Sequence, residues 1–481
     1  MVDERKDVVS AVIFVLINLL NYIDRYTIAG VLTQVQAYYN IDDTVAGLIQ
    51  TVFLVFFMLC SPICGYFGDR FNRKFIVLIG VLVWLVAVIG SSFVPSNHFW
   101  LFMLFRGIVG VGEATYSTVA PTMISDMFST KYRSLVYMIF YFAIPVGSGV
   151  GYITGSVMAS ITGQWQWGVR LPSLAGLVVL VIAFFLLYEP VRGAAEESKT
   201  LGKKSGNYWQ DIKSLMTIPT YIICSWAYTC MVFVTGTLAW WAPTIIEHSM
   251  AWSHELQKTD DLTKREKTSV GLIFGAVTLV AGIVGVGAGF LLSSWISKGT
   301  GCFRVMKTNK APLLVSTLGA ILATPCLLVG LLFGHKVMAL QYTFFFFAIT
   351  FSCFNWGLNI DVLCTVVLPH RRSTAFGYFT LLSHLCGDAT GPIIIGKISD
   401  VLRKGSNTPK DQYLSLAHAS LVCVGVLVLS AVLYFLSSLT LVRDQNKFRQ
   451  ELAQDDSTAK SMKGSTDSLE KRSNSSDEDC V

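Results

Sequence analysis

Apolar runs of roughly 20 residues or more recur along almost the whole chain, parted by short charged or glycine-containing loops. A run of that length crosses the hydrocarbon core of a bilayer as a helix, because each backbone polar group must find its partner inside the segment. Such runs fall at 8–33, 45–68, 74–94, 99–126, 133–160, 167–188, 217–246, 269–296, 311–334, 338–368, 373–402 and 413–442. The expected fold is therefore all-α and integral to the membrane, with twelve transmembrane helices. Charge supports this: 14% of the 481 residues are charged, against about 25% in a soluble domain. The net charge of +6 comes from Lys and Arg gathered in loops, not from a basic soluble face, so a nucleic-acid partner is excluded. Cys60, Cys64, Cys353, Cys364 and Cys423 lie inside apolar spans, so no disulfide framework is expected. No His lies near the Cys60–Cys64 pair, which reads as helix packing; neither metal nor cofactor is expected. The N-terminus is too charged for a cleaved signal peptide, and the first span is expected to act as its own insertion signal.

Basic residues set the expected orientation. Arg5 and Lys6, Arg70 to Lys74, Lys131 and Arg133, Arg304 to Lys310, and Arg371 and Arg372 all fall on one side. The connections at 34–44, 95–98 and 161–166 carry no Lys or Arg. The basic side should be cytosolic, with both termini there. Lys258, Lys264, Arg265 and Lys267, and again Arg403, Lys404 and Lys410, run against the rule.

The chain also echoes itself. Arg133-Ser134 precedes Gly147 and Gly151 much as Arg372-Ser373 precedes Gly387 and Gly391. Two six-helix halves follow, at 8–188 and 217–442, a duplication on which many secondary transporters are built. They would be flanked by a cytosolic N-terminus at 1–7, joined by a cytosolic loop at 189–216, and followed by a disordered cytosolic tail at 443–481.

The loop after the second span reads Gly65-Tyr66-Phe67-Gly68-Asp69-Arg70-Phe71-Asn72-Arg73-Lys74. It resembles the G-x-x-x-D-R-x-x-R/K motif of the major facilitator superfamily. That likeness implies a cytosolic gate, with Gly65 allowing close helix approach and Asp69 accepting bonds from a neighbouring helix end or Arg. Positive-inside anchoring accounts for Arg70, Arg73 and Lys74 equally well, but not for Gly65 and Asp69. In the second half Gly289 keeps the glycine without the acid.

Four further stretches are similar to the Spinster family of lipid transporters within that superfamily. They are 18–30 with Asn21-Tyr22-Ile23-Asp24-Arg25, 106–117 with Arg106 and Glu113, 140–149 around Pro145, and Arg371-Arg372-Ser373-Thr374-Ala375 with Gly387-Asp388-Ala389. The resemblance covers 8 to about 442. It implies the major facilitator fold and secondary transport of a lysophospholipid or a sphingoid lipid such as sphingosine 1-phosphate, in some members coupled to protons. It also implies residence in the lysosomal or late endosomal membrane, or the plasma membrane.

The residues carry a reading of their own. Asn18, Asn21 and Arg25 recur on one helical face, with Asp24 beside it, and Arg106 and Glu113 share a face seven residues apart. Charges at membrane depth cost about 2.5–3.5 kcal/mol each, so they should face the bundle interior and pair. Two helices each offering an acid and an Arg would satisfy one another. Glu113 or Asp24 is then the proton carrier, and Arg25 or Arg106 the headgroup ligand with Asn21. The competing reading is a static ion-pair lock. In the second half His384 and Asp388 lie at i, i+4 and suit a proton relay, while Asn355 and Asn359 share a face as further substrate contacts. A His in an apolar helix is as readily a packing residue. Asp361 is placed to pair with Arg371 or Arg372 as a clamp. Gly147, Gly151 and Gly155 form a small-residue stripe for helix packing, and Phe344 to Phe347 read as lipid-facing bulk.

The expected partners are a lipid substrate and the bilayer, with the protein working as a monomer. A proton-coupled carrier of small organic anions or sugars is the nearest alternative, and a non-transporting receptor a more distant one. No nucleotide loop or nucleophile–base constellation points to an enzyme.

Overall fold

The apolar runs become helices, and their ends fall where polar side chains take up the free backbone groups. A computed structural model describes residues 4–128, 130–190, 208–299, 307–368 and 372–478. The first helix group comprises α1 (Glu4–Gly30), α2 (Leu32–Tyr39), α3 (Asp43–Arg70), α4 (Arg73–Ser91), α5 (Phe99–Met127), α6 (Thr130–Thr162) and α7 (Gln166–Leu186). A short α8 (Tyr208–Leu215) leads to a second group: α9 (Pro219–Ser253), α10 (Lys264–Lys298), α11 (Ala311–Phe333), α12 (Met338–Ser352), α13 (Trp356–Val366), α14 (Arg372–Ser383), α15 (Gly391–Arg403), α16 (Pro409–Ala419) and α17 (Leu421–Glu478). Asp42 caps α3 by accepting from Val45 N at 2.8 Å, and Asn72 caps α4. Thr263 and Glu266 form a reciprocal capping box on α10.

Among the described residues, ten helices are long and apolar enough to cross a membrane. Phe185 is 75% exposed and Ile79 61%, a surface suited to lipid rather than water. Two predicted spans are absent from the ten. The run 99–126 lies in α5, whose apolar character Arg106 and Glu113 dilute, and 373–402 is broken by a π turn at His384–Asp388 between α14 and α15. Other runs break too. The first parts at Val31 into α1 and α2, and that at 338–368 parts at a 3₁₀ turn, Cys353–Asn355. The tail expected to be disordered continues α17 to Glu478; 443–478 contains no Pro, and Lys447 pairs with Glu451 one turn on, at 3.9 Å. Phe345 is buried in the core, so the run Phe344 to Phe347 is not wholly lipid-facing bulk.

Glycines decide how the helices meet. A Cβ on Gly147, Gly151 or Gly155 would lie 2.6–2.7 Å from atoms of α1. In the second group Gly387 and Gly391 meet α9 in the same manner, against Val232 and Thr237. The opposite face of α6 packs across the groups. Gly149 and Gly275 of α10 each meet the other's carbonyl oxygen, at 2.6 and 2.5 Å from the built Cβ. Gly47 of α3 meets Pro392, and Gly396 of α15 meets Asp43, at similar range. Two crossings, α6 on α10 and α3 on α15, therefore join the groups. Gly289 packs on Phe354 at the Cys353–Asn355 break.

Candidate functional site

The stripe on α1 and the face of α5 meet inside the first group. Arg25 is 8% exposed, and Asp24, Arg106 and Glu113 are each 2% or less. Arg25 Nη2 lies 3.9 Å from Glu113 Oε2. Its guanidinium also sits 4.5 Å from the centre of the Phe53 ring on α3 and 5.6 Å from Tyr22. Arg106 approaches the same Phe53 ring at 5.9 Å, so one aromatic ring is shared by two cations. Asn21 sits beside Glu113, and Asn18 is fixed between the Phe140 carbonyl at 2.7 Å and the Tyr116 hydroxyl at 2.9 Å.

The mutual satisfaction expected of two acids and two arginines is only half made. Both Asp24 carboxylate oxygens lack a hydrogen-bond partner, as do Arg106 Nε and Nη1 and Glu113 Oε1. Consecutive helix residues point about 100° apart. That turn aims Asp24 away from Arg25, towards Trp84 of α4 and Ser173 of α7.

In the second group, the π turn presents His384 and Asp388, with Nδ1 3.0 Å from Oδ1 and 3.2 Å from Oδ2. Gly236 of α9 lets the turn approach, since a Cβ there would lie 2.4 Å from that of Asp388. Asp388 acts electrostatically on Arg25 and Tyr26 of the first group and on Tyr228 of α9. His384 faces the edge of Phe57 on α3. Stacked Tyr228 and Phe379, 4.7 Å between centres, continue the apolar wall. The structure thus brings Arg25, Glu113, Arg106, Asn21, His384 and Asp388 to one central region, with Asp24 behind it.

Asn355 and Asn359 are not brought there. Both are buried; Asn359 Nδ2 donates to the Asn355 carbonyl at 2.6 Å, and its Oδ1 accepts from Cys224 Sγ at 3.3 Å. They satisfy the backbone at the break between α12 and α13. Asp361 lines a cavity with Gln445 and Arg449. The side chains of its expected partners Arg371 and Arg372 lie outside the described residues.

In the loop motif, the side chains of Asp69 and Arg70 also lie outside the described residues. Gly65 meets nothing within 4 Å of a built Cβ, so no close helix approach occurs there in this conformation. Gly377 on α14 likewise meets nothing within 4 Å of a built Cβ. Arg73 works within the first group. Its Nη1 is 2.6 Å from Asp126, its Nη2 donates to the Pro190 carbonyl at 3.0 Å, and its Nε is 3.7 Å from Glu189. Lys74 lies over Phe184 at 6.0 Å.

The opposite end is shut by residues the motif reading missed. Asp400 of α15 accepts from the backbone N–H of Asp43 at 3.2 Å and of Thr44 at 2.7 Å, capping α3 across the group boundary. Arg403 bridges Asp400 at 2.6 Å and Asp43 at 3.5 Å, and Ser399 donates to Asp43 at 2.8 Å. Thr33 donates to Glu247 of α9, and Tyr152 to the Ala239 carbonyl. Arg403, an exception to the basic-side rule, therefore has a structural task. Gly396-Lys397-Ile398-Ser399-Asp400 repeats the G-x-x-x-D spacing and was the available signal.

Two groups of apolar helices, latched to each other at one end and enclosing buried charges, have the build of a membrane transporter, and comparison agrees. The family model described as Major Facilitator Superfamily matches residues 14–392. Protein spinster homolog 1 of Xenopus tropicalis is 39% identical over 95% of this chain and 86% of its own length. A sphingosine-1-phosphate transporter of Mus musculus is 36% identical over 92% of this chain and 79% of its own. The crystal structure of a bacterial homologue of the human lysosomal transporter Spinster, inward-facing and unoccupied, superposes with a TM-score of 0.75 at 20% identity, covering 91% of this chain and 98% of that one. The chain belongs to the spinster family of the major facilitator superfamily. It is a multi-pass membrane protein and a transporter rather than an enzyme.

Proposed function

We propose that the protein carries a single-chain lipid, a lysophospholipid or a phosphorylated sphingoid base, across a membrane by proton-linked alternating access. The observation that carries this is the buried Arg25–Glu113 pair of one helix group, set within electrostatic reach of the His384–Asp388 pair of the other. Arg25 or Arg106 meets the phosphate, because a guanidinium bonds two phosphate oxygens at once and stays charged at any pH. Of the two, Arg106 has unpartnered buried nitrogens. Glu113, Asp24, His384 and Asp388 exchange the proton. The acyl chain takes the wall lined by Phe53, Phe57, Tyr228 and Phe379. Similarity to the sphingosine-1-phosphate transporter of Mus musculus favours a lipid of this class.

Both groups count as six-helix halves, 8–188 and 217–442. The 29 residues of α5 reach about 43 Å as helix, enough to span. The segment 372–403 spans in two pieces, as broken transporter helices do at a binding site. Both termini are cytosolic, and the membrane is lysosomal, late endosomal or plasma. The protein works as a monomer. The test is flux in reconstituted vesicles with labelled lysophospholipid, sphingosine 1-phosphate, a diacyl lipid and a sugar phosphate. The single-chain lipids should move at least tenfold faster than the other two. Flux of the sugar phosphate alone would establish the small-anion carrier instead.

A further inference from the structure

The shut end holds a carboxylate that the central cluster does not use. Glu247 lies near the end of α9 and is 3% exposed. Among the described residues its one hydrogen-bond partner is the hydroxyl of Thr33, which belongs to the other helix group. Among the described residues it has no ion-pair partner. Lys267 of α10 acts on it from a distance, but that ammonium is paired with Asp260 at 3.4 Å, and Asp260 opposes it. Tyr342 of α12 faces it with a buried, unpartnered hydroxyl. The neighbouring His248 is bonded to Thr259 at 2.8 Å, and it is His248 rather than Glu247 that feels Arg403. His335 and Lys410 pack on Trp252, further along α9.

A buried carboxylate with a single hydroxyl partner, and no cation to itself, is costly when ionised and far less so when protonated. Opening this end must carry Thr33 away with the first helix group and admit water, where the ionised form is favoured. We propose that Glu247 is a second proton-binding site, seated in the closure itself, which holds a proton while this end is shut and releases it when this end opens. The inference rests on the alternating-access reading and adds a proton site remote from Glu113. The proton moves between Glu247 and water, with no other bond made or broken.

Infrared difference spectroscopy of the full-length protein in lipid nanodiscs, stepped in pH, reads this without any flux. A protonated-carboxyl C=O band should appear in the wild type and in Glu113→Gln and vanish in Glu247→Gln. The Gln still offers Thr33 an acceptor, so the fold should persist. Thr33→Val, which removes only the donor, should move the same band to the position of a carboxyl free of hydrogen bonds, and serves if Glu247→Gln does not fold. A band untouched by both substitutions overturns the proposal. In vesicles, Glu247→Gln should flatten the dependence of flux on pH at this end to less than twofold, and a wild-type dependence also overturns it. Absence of lipid flux in the wild type would instead remove the lipid reading, leaving the band assignment to stand or fall alone.

Discussion

At the residue scale, the centre turns on one long ion pair and one shared ring. Arg25 and Glu113 stand 3.9 Å apart, beyond a strong charge-assisted bond, while Phe53 supports both guanidinium groups. A pair held that loosely can exchange partners, which a static lock would not need. Glu113→Gln keeps the side-chain volume and removes the charge. Vesicle flux should fall at least tenfold and lose its pH dependence, while size-exclusion profile and yield stay as in the wild type. Wild-type flux at every pH would return the pair to a structural role. Removing Arg25 instead leaves a buried acid without its ion-pair partner, and losing one partner of a buried pair costs about 3–5 kcal/mol, so Arg25→Ala should also lower thermal stability. That Arg25 shares a face with Asn18 and Asn21, and Glu113 with Arg106, was readable from spacing, because positions seven apart recur on one face. That Asp24 turns away was not. It depends on how α1 is rotated against α4 and α7, which the sequence of α1 alone does not determine.

Helices here are defined as much by their interruptions as by their apolar runs. Long hydrophobic stretches announced almost every element, yet the breaks at Val31 and Cys353–Asn355 left no Pro or charge cluster to mark them, and only Gly391-Pro392, at the start of α15, marks the one at His384–Asp388. They arise from packing, with Gly30 against Tyr152, Gly285 against the Thr350 carbonyl and Gly236 against Asp388. The motif near Gly65 drew attention to the opposite end, whereas the latch seen in this conformation is Asp400 on the N-terminus of α3. A carboxylate there is worth up to about 2 kcal/mol, combining the cap with the helix dipole. Asp400→Ala should therefore shift the molecule towards opening at this end by roughly tenfold in population, since 1.4 kcal/mol is a factor of ten. Spin labels placed on Asn40 and Lys404, at the exposed ends of α2 and α15, measure it as a growing long-distance component. An unchanged distance distribution would mean that the glycine contacts of α3 on α15 hold the closure unaided.

For the whole molecule, function requires the two groups to rock about contacts that persist and contacts that part. The α6–α10 crossing brings Gly149 and Gly275 backbone to backbone, a smooth surface along which two bodies can pivot. Contacts between α3 and α15 at the shut end must part, because Asp43, Ser399, Asp400 and Arg403 bind there across the divide. Fixing that end should stop transport while leaving both groups folded. Asp43→Cys with Ser399→Cys puts two thiols where side chains now hydrogen-bond at 2.8 Å. Oxidation of this double variant should abolish vesicle flux, and reduction should restore it to the level before oxidation. Either single variant should keep its flux under oxidation, which also controls for the eleven native cysteines. Undiminished flux through the cross-linked protein, with the disulfide verified by mass spectrometry, would show that this end need not open, and alternating access between the two groups would fall with it.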